Sequence, residues 1–127
     1  MHDMGSLAYL AGFFDGEGCI STWTQPGKHR DNHYWEVNAT QSEKNGNEPL
    51  CQMLERWGGS IFLVAPLKAH HSPIYRWKAR GIEAAIALHD MYPHLQIKKQ
   101  QATNALEALR SKPKIRRILQ RLREPKP

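Results

Sequence analysis

Two carboxylates stand among glycines in the stretch LAGFFDGEG, which covers residues 10–18. The small and apolar residues of this region predict a helix from Ser6 to Asp15. An anion at the carboxyl end of a helix costs from a few tenths of a kcal/mol to about 1 kcal/mol, so Asp15 and Glu17 need a compensating cation. Carboxylate oxygens are also the ligands that Mg²⁺ prefers, and such ions can activate water for phosphodiester hydrolysis. The stretch therefore predicts a site for metal-dependent phosphoryl chemistry.

The same helix carries a row of small residues, Ala8, Gly12 and Gly16, spaced four apart. The backbone of a second helix can approach such a row closely, because no side chain stands in the way. If two copies of the chain pack along it, their Glu17 side chains come together at the dimer axis. Two carboxylates in that position repel each other unless divalent cations lie between them. The row therefore predicts a homodimer whose paired acids hold metal ions, with a backbone carbonyl and a substrate phosphate as further ligands.

The chain of 127 residues has room for one core, so we expect a single domain over residues 1–127. No apolar run approaches the roughly 20 residues that a membrane span needs, and the start lacks the basic segment and cleavage site of a secretion signal. We therefore expect a protein without a membrane partner that stays inside a cell or organelle. Cys19 and Cys51 lack the spacing of a zinc site and are expected to be reduced packing residues.

The net charge of +6 comes from the last residues of the chain. Residues 1–111 hold 11 Lys and Arg against 11 Asp and Glu, whereas residues 112–127 hold 7 against 1. Apolar residues recur in this basic tail at helical spacing, at Ile115, Ile118, Leu119 and Leu122. The tail can therefore lie on phosphates, or it can cap the fold with its charges in water.

Alternating residues after Gly18 predict two strands, CISTWTQ and NHYWEVNATQ, joined by a polar loop. A helix follows in GNEPLCQMLERWGG, with Asn47 as its cap and Gly58 at its end. The segments SIFLVAPL and IYRWKA predict a second strand pair, and two more helices run from about Ile82 to Met91 and from about Lys98 to Leu109. This order predicts an α+β fold, a four-stranded antiparallel sheet with helices on one face.

The other face of this sheet is predicted to bind double-stranded DNA. The strand regions hold six basic residues against Asp31 and Glu36, and a positive ribbon of polar and aromatic residues fits the DNA major groove. A solvated face without a ligand is the alternative, and an exposed Trp23 argues against it. The residues predicted to contact DNA are Ser21, Trp23, Gln25, Lys28, Arg30, Asn32, Tyr34, Glu36, Asn38, Lys68, Arg76 and Lys78.

LAGFFDGEG resembles the signature of the LAGLIDADG homing endonucleases, and the order of elements is similar to that family's αββαββα unit. The segment LQIKKQQATNAL, residues 95–106, is similar to the Lys- and Gln-rich start of a late helix in members with one signature. The chain departs from the signature with Phe13 and Phe14 for the aliphatic pair, Gly16 for Ala and Glu17 for the second Asp. It holds one copy, so the resemblance implies a homodimer whose saddle-shaped sheets cover a long pseudo-palindromic DNA site.

The resemblance also implies roles for individual residues. Glu17 matches the metal-binding acid, and Gly16 supplies the neighbouring carbonyl ligand. Gln41 matches a polar residue that orders water near the scissile phosphate, and Lys98 matches a basic residue that polarises solvent or phosphate, with Lys99 as its alternative. Mg²⁺ is the implied cofactor, Mn²⁺ a substitute, and Ca²⁺ an ion that supports binding without cleavage. The residues implied at the dimer interface are Ala8, Ala11, Gly12 and Asp15, the last in a structural role.

Two other functions are compatible with the same scaffold. An intron RNA maturase, or a DNA-binding regulator that has lost catalysis, would keep the helices and the sheet. Glu17, Gln41 and Lys98 speak against lost catalysis but leave a dual role open. A purely structural dimerisation module is disfavoured by the polar, positive sheet face.

Overall fold

The computed structural model describes residues 4–66, 68 and 70–123, and within these residues five α-helices are interleaved with four strands. Two single turns of 3₁₀ helix, Glu43–Asn45 and Tyr92–His94, lie between them. The main elements are α1 (Met4–Glu17), β1 (Gly18–Gln25), β2 (Asn32–Ser42), α2 (Glu48–Trp57), β3 (Ser60–Val64), β4 (Ile74–Arg80), α3 (Gly81–Met91), α4 (Lys99–Arg110) and α5 (Pro113–Arg123).

The four strands form one antiparallel sheet in the order β1-β2-β4-β3. Two hairpins meet in its middle, where β2 pairs with β4 from Glu36 opposite Arg80 to Ser42 opposite Ile74. The predicted α+β fold with a four-stranded antiparallel sheet is confirmed.

The core lies between one face of the sheet and the helices. Alternate residues in the middle of the two central strands are buried, as alternation along a half-buried strand requires. Leu10 and Phe14 of α1 are fully buried against them, and Leu7 is half-buried at the edge of the core, as their helical spacing predicts. The buried strand residues are Val37, Ala39, Trp77 and Ala79.

The end of α2 is fixed to the sheet at Gly58 and Gly59. Gly58 ends the helix with φ 82°, and its carbonyl accepts a hydrogen bond from the Trp77 indole at 2.8 Å. Gly59 has φ 89° and lies so close to the Lys78 carbonyl that a Cβ there would collide with it. The predicted helix stop at Gly58 is confirmed, while the Asn47 side chain, predicted as the cap, makes no capping hydrogen bond.

The basic tail forms the helix α5. Ile115 and Leu119 are buried, and the helix packs on α3 and α4 with the basic side chains of residues 114–121 exposed. Burial of this apolar stripe therefore fixes the tail on the fold, while its contact with phosphates stays a prediction. Residues 124–127 of the predicted tail lie outside the described residues.

Both cysteines are free thiols, but the expectation that they are packing residues is wrong. Cys19 and Cys51 are exposed. Strand alternation places Cys19 on the open face of the sheet, two residues before Ser21, whose hydroxyl lies 3.4 Å from the Cys19 sulfur.

Among the described residues, no helix has the length and apolar character needed to cross a bilayer.

We expect Gly59→Ala to destabilise the protein more than Gly46→Ala. Both glycines have positive φ, which costs an L-residue about 1–2 kcal/mol. A Cβ at position 46 meets open space, whereas one at position 59 meets the Lys78 carbonyl and the Trp77 ring nitrogen. Urea unfolding should therefore show a larger loss for Gly59→Ala, by about 1 kcal/mol or more. Equal losses for the two variants would contradict the close approach.

Candidate functional site

The end of α1 is joined to the start of α4 by the buried carboxylate of Asp15. Its Oδ2 accepts hydrogen bonds from the backbone N–H groups of Gln96 and Ile97 at 2.8 and 2.9 Å, and its Oδ1 accepts one from Lys98 at 2.8 Å. The N–H groups at the start of a helix have no partner within it, and an anion there is favoured by the helix dipole. Asp15 therefore acts as a helix cap supplied from another part of the chain.

Lys98 completes this contact from the other direction. Its ammonium Nζ donates a hydrogen bond to the backbone carbonyl of Asp15 at 2.6 Å. A cation is thus placed at the carboxyl end of α1, where free carbonyls carry partial negative charge. The expectation of a compensating cation is confirmed. The residues near Asp15 in sequence give no hint that this cation is Lys98, which lies 83 residues away, and only the family resemblance pointed to it.

The acidity of Asp15 follows from these contacts. Burial raises the pKa of its carboxyl group, but the backbone N–H groups of Ile97, Lys98 and Gln96 and the charge of Lys98 together outweigh it and hold the pKa below its usual value. Asp15 is therefore a carboxylate at neutral pH with a structural task.

Glu17 is exposed at the last position of α1, and the preceding Gly16 is exposed as well. The next residue, Gly18, already begins β1, and the Phe14 side chain and carbonyl lie too close to it for a Cβ. The helix therefore passes into the strand without a loop, which fixes the direction in which α1 presents its end. Within the described residues there is no group of three or more His, Cys, Asp and Glu that could hold a metal ion.

Gln41 lies at the same end of the sheet. Gly18, where β1 begins, is opposite Ala39 of β2, and Gln41 follows two residues later, about 7 Å along the strand. It shares the helix-facing side of β2 with Ala39 and is half-buried opposite Tyr75. Strand register thus places Gln41 beside the end of α1, while a hydrogen bond places Lys98 there.

Lys99 is directed elsewhere. Its Nζ lies 5.1 Å from the centre of the Tyr92 ring, in a cation–π contact, whereas Lys98 contacts α1 directly. Of the two alternatives left by the sequence, the geometry favours Lys98 as the cation beside Glu17.

The row of small residues on α1 is open to solvent, but two other residues predicted at the dimer interface are buried. Ala8, Gly12 and Gly16 are exposed, but Ala11 is fully buried in the core. The prediction that Ala11 contacts a second subunit is therefore wrong, because Ala11 lies on the side of α1 that faces the core, together with Leu10 and Phe14. Asp15, also predicted at the dimer interface, is buried against α4 instead.

The open face of the sheet has the composition that strand alternation predicts. Its central pairs are Ser21 with Glu36, Trp23 with Tyr34 and Asn38 with Lys78. The other strand residues predicted to contact DNA lie on this face as well; they are Gln25, Asn32 and Arg76. The remaining predicted contacts lie in loops, with Lys28 and Arg30 after β1 and Lys68 after β3.

Several side chains on the open face hold one another in place. Trp23 and Tyr34 stack with their ring centres 5.4 Å apart, and the Arg80 guanidinium lies 4.9 Å from the Trp23 ring. Arg80 also donates from Nε to Glu36 at 2.9 Å, and Asn38 donates to the other oxygen of Glu36 at 3.3 Å. Arg80 is missing from the predicted contacts, although continuing the alternation from Arg76 would have included it.

The loop between α4 and α5 contacts the outer end of the same face. Lys112 donates from Nζ to the His33 carbonyl at 3.1 Å and lies 5.9 Å from the Tyr34 ring centre. These residues border an open cavity of about 770 Å³ that lies at the far end of β1 and β2 from Glu17. The start of the basic tail is thus continuous with the sheet surface.

Comparison with solved structures identifies the fold. The homing endonuclease I-CvuI in complex with the I-CreI target matches this chain with a TM-score of 0.65 and 20% sequence identity. The match covers 93% of this chain and 77% of the I-CvuI chain. The group I intron-encoded homing endonuclease I-CeuI, complexed with DNA, matches over 85% and 55% with a TM-score of 0.63 at 19% identity.

A third match is the I-SmaMI LAGLIDADG homing endonuclease bound to cleaved DNA, with a TM-score of 0.63 at 13% identity over 91% of this chain and 42% of the other. No protein-family model matches the sequence, and no curated protein matches it. The chain therefore has the LAGLIDADG homing endonuclease fold, as the sequence resemblance implies.

We expect Asp15→Asn to destabilise the protein at neutral pH by about 1.5–3 kcal/mol, because an amide cannot accept three N–H bonds as a carboxylate does. Because the pKa of Asp15 is lower in the folded protein than its ordinary value of 3.8, the carboxylate contributes fully to the free energy of unfolding above pH 3.8. This contribution is lost as the pH falls through the pKa of the folded protein. The difference between wild type and variant should therefore shrink on acidification. Urea unfolding at neutral pH and below pH 4 measures it, with the exposed Asp31→Asn as control, and a difference that does not depend on pH would contradict the role.

Proposed function

We propose that this chain is a site-specific double-strand DNA endonuclease of the LAGLIDADG type that works as a homodimer with divalent metal ions. The single observation that carries the proposal is the exposed Glu17 at the end of α1, with the half-buried Lys98 ammonium two residues away on the Asp15 carbonyl. An exposed acid beside a fixed cation suits a site where metal and phosphate meet.

The open sheet face supports DNA as the substrate. Arg76, Lys78 and Arg80 follow one another at alternate positions of β4 and face the same side. Arg76 also has a buried Nε with no hydrogen-bond partner among the described residues. Donors and cations arranged along a twisted sheet fit the acceptors and phosphates of a duplex. The solved structures of I-CvuI, I-CeuI and I-SmaMI, which share the fold, contain DNA.

The residues at the end of α1 fit a hard divalent cation. Gly16 and Glu17 are exposed, so the Gly16 carbonyl and the Glu17 carboxylate would be the oxygen ligands of such an ion. Mg²⁺ binds through one or two carboxylates while keeping several waters. When bound, the ion would supply an activated water and charge stabilisation for hydrolysis. The I-CvuI structures, one in Mg and one in Ca, support the use of divalent ions. We expect Mn²⁺ to substitute for Mg²⁺, and Ca²⁺ to support binding alone.

Lys98 and Gln41 would act beside this acid. One of the three N–H donors of Lys98 is used by the Asp15 carbonyl, so two remain for the scissile phosphate or for water. The amide of Gln41 can both donate and accept, which suits it to hold a water in line with the phosphate. This assignment favours an enzyme over a regulator that has lost catalysis.

A homodimer follows from the number of acids. Each chain offers one Glu17, and cutting both strands of a duplex requires two sites related by symmetry. The exposed row of Ala8, Gly12 and Gly16 leads along α1 to Glu17, so helix packing along it would bring the two acids to the dimer axis.

We expect Glu17→Gln to lower DNA cleavage at least ~10²-fold while duplex binding in Ca²⁺ stays within about threefold of wild type. The amide keeps the size of the side chain but loses the charge that attracts the metal. A duplex selected from a random library in Ca²⁺ serves for both measurements, with Mg²⁺ added for cleavage. The exposed Glu107→Gln on α4 is the matched control. Retained cleavage by Glu17→Gln would overturn the assignment.

We expect Gly12→Arg to produce folded monomers. A Cβ at position 12 meets nothing within 4 Å in the subunit, so the side chain would project from α1 without disturbing the core. Light scattering after gel filtration should give the dimer mass for wild type and for the control Glu107→Arg. The same measurement should give half that mass for Gly12→Arg. A monomeric wild type, or a dimeric Gly12→Arg, would contradict packing along the small-residue row.

A further inference from the structure

Arg80 is held on two sides at the end of β4. Its Nε donates to Glu36 Oε1 at 2.9 Å, and its guanidinium lies 4.9 Å from the Trp23 ring. Tyr34 stacks on Trp23, which fixes the ring on which the guanidinium rests. A mobile arginine side chain loses much conformational entropy when it binds a ligand. Because Arg80 is already held in place, it loses less entropy on binding.

The contact with Glu36 leaves the outer part of the guanidinium available. It uses the Nε–H, so Nη1 and Nη2 keep their four N–H donors for another acceptor. The Arg80 side chain is 57% exposed, whereas that of Glu36 is only 15% exposed beneath it. The arginine therefore projects from the open face while its partner remains close to the sheet.

Glu36 itself is poorly suited to direct contact with a polyanion, because it is an acid. Both of its oxygens are engaged, one by Arg80 and the other by the Asn38 amide. Its position explains why an acid stands in the middle of a positive surface. It orients two donors, and its charge is balanced by the arginine.

We infer that Arg80 reads a guanine in the major groove of the target, and that Glu36 and Trp23 are its positioning residues. Two parallel N–H groups of a planar fork match the O6 and N7 acceptors of guanine, which is the commonest specific arginine contact. This inference rests on the proposed function. It assigns Glu36 to orienting donors, in place of the direct DNA contact that the sequence predicts.

The position of this guanine in the target follows from the strand register. Glu36 is opposite Ser21, which lies four residues after Glu17. At about 3.3 Å per residue this is about 13 Å, or about four base pairs at a rise of 3.4 Å. The guanine is therefore expected within about four base pairs of the cleaved phosphate in each half-site.

A selection from a random duplex library in Ca²⁺ tests the inference. The proteins are wild type, Arg80→Lys, Glu36→Gln and Lys78→Gln. Arg80→Lys keeps the charge but loses the fork, so the guanine preference at one position per half-site should fall roughly 5- to 150-fold while the other positions stay unchanged. Glu36→Gln should relax the same position in part and also strengthen binding to random DNA, because it removes a negative charge from the face.

Lys78→Gln is the matched control, because Lys78 lies on the same strand. In the wild type the Lys78 ammonium lies 5.2 Å from the Phe62 ring centre. It should weaken binding to all sequences and lower the salt dependence by about one ion, with the consensus unchanged. If Arg80→Lys changes the affinity for all sequences alike, with no loss of preference at one position, Arg80 contacts phosphate and the inference is overturned. A wild-type protein that enriches no duplex would contradict the proposed function and the inference together, whereas a consensus that Arg80→Lys leaves unchanged would contradict the inference alone.

Discussion

The contact between Asp15 and the start of α4 determines where the candidate site lies. Three backbone N–H groups and one ammonium from residues 96–98 converge on a single residue near the end of α1. The exchange satisfies groups that each helix leaves unpaired, the N–H groups of one and a carbonyl of the other. Because hydrogen bonds to charged groups are the stronger ones, this contact fixes the end of α1 firmly. Glu17, two residues further on, is thereby presented to solvent at a defined place.

The division of the sheet into two faces gives this site a substrate surface. On one side the buried residues Val37, Ala39 and Trp77 bind the sheet to the helices. On the other side, arginine, lysine and aromatic residues contact one another across strands, and Glu36 balances charge among them. The strand that leaves the end of α1 therefore leads from the acid directly onto the positive surface. Chemistry and recognition are linked by one continuous segment of chain.

Strand alternation and helix spacing predicted most of the fold, because both depend on local burial patterns. They placed the two hairpins, the open face and the core residues of α1 correctly. The family resemblance placed Ala11 at an interface, and helix spacing did not correct this, because a small residue can face either the core or a partner. Strand alternation and helix spacing could not predict the partners of Asp15, because a contact across some 80 residues leaves no periodic signal. The choice between Lys98 and Lys99 likewise required the direction of each side chain.

The central claim is that the Glu17 side chains of two subunits bind metal ions at the dimer axis. It is tested most directly by locating Mn²⁺ through its anomalous diffraction in crystals of the protein with its selected duplex. We expect anomalous peaks within coordination distance of Glu17 from both subunits and of a backbone phosphate. Mn²⁺ peaks remote from Glu17, or a single subunit on the duplex, would contradict it.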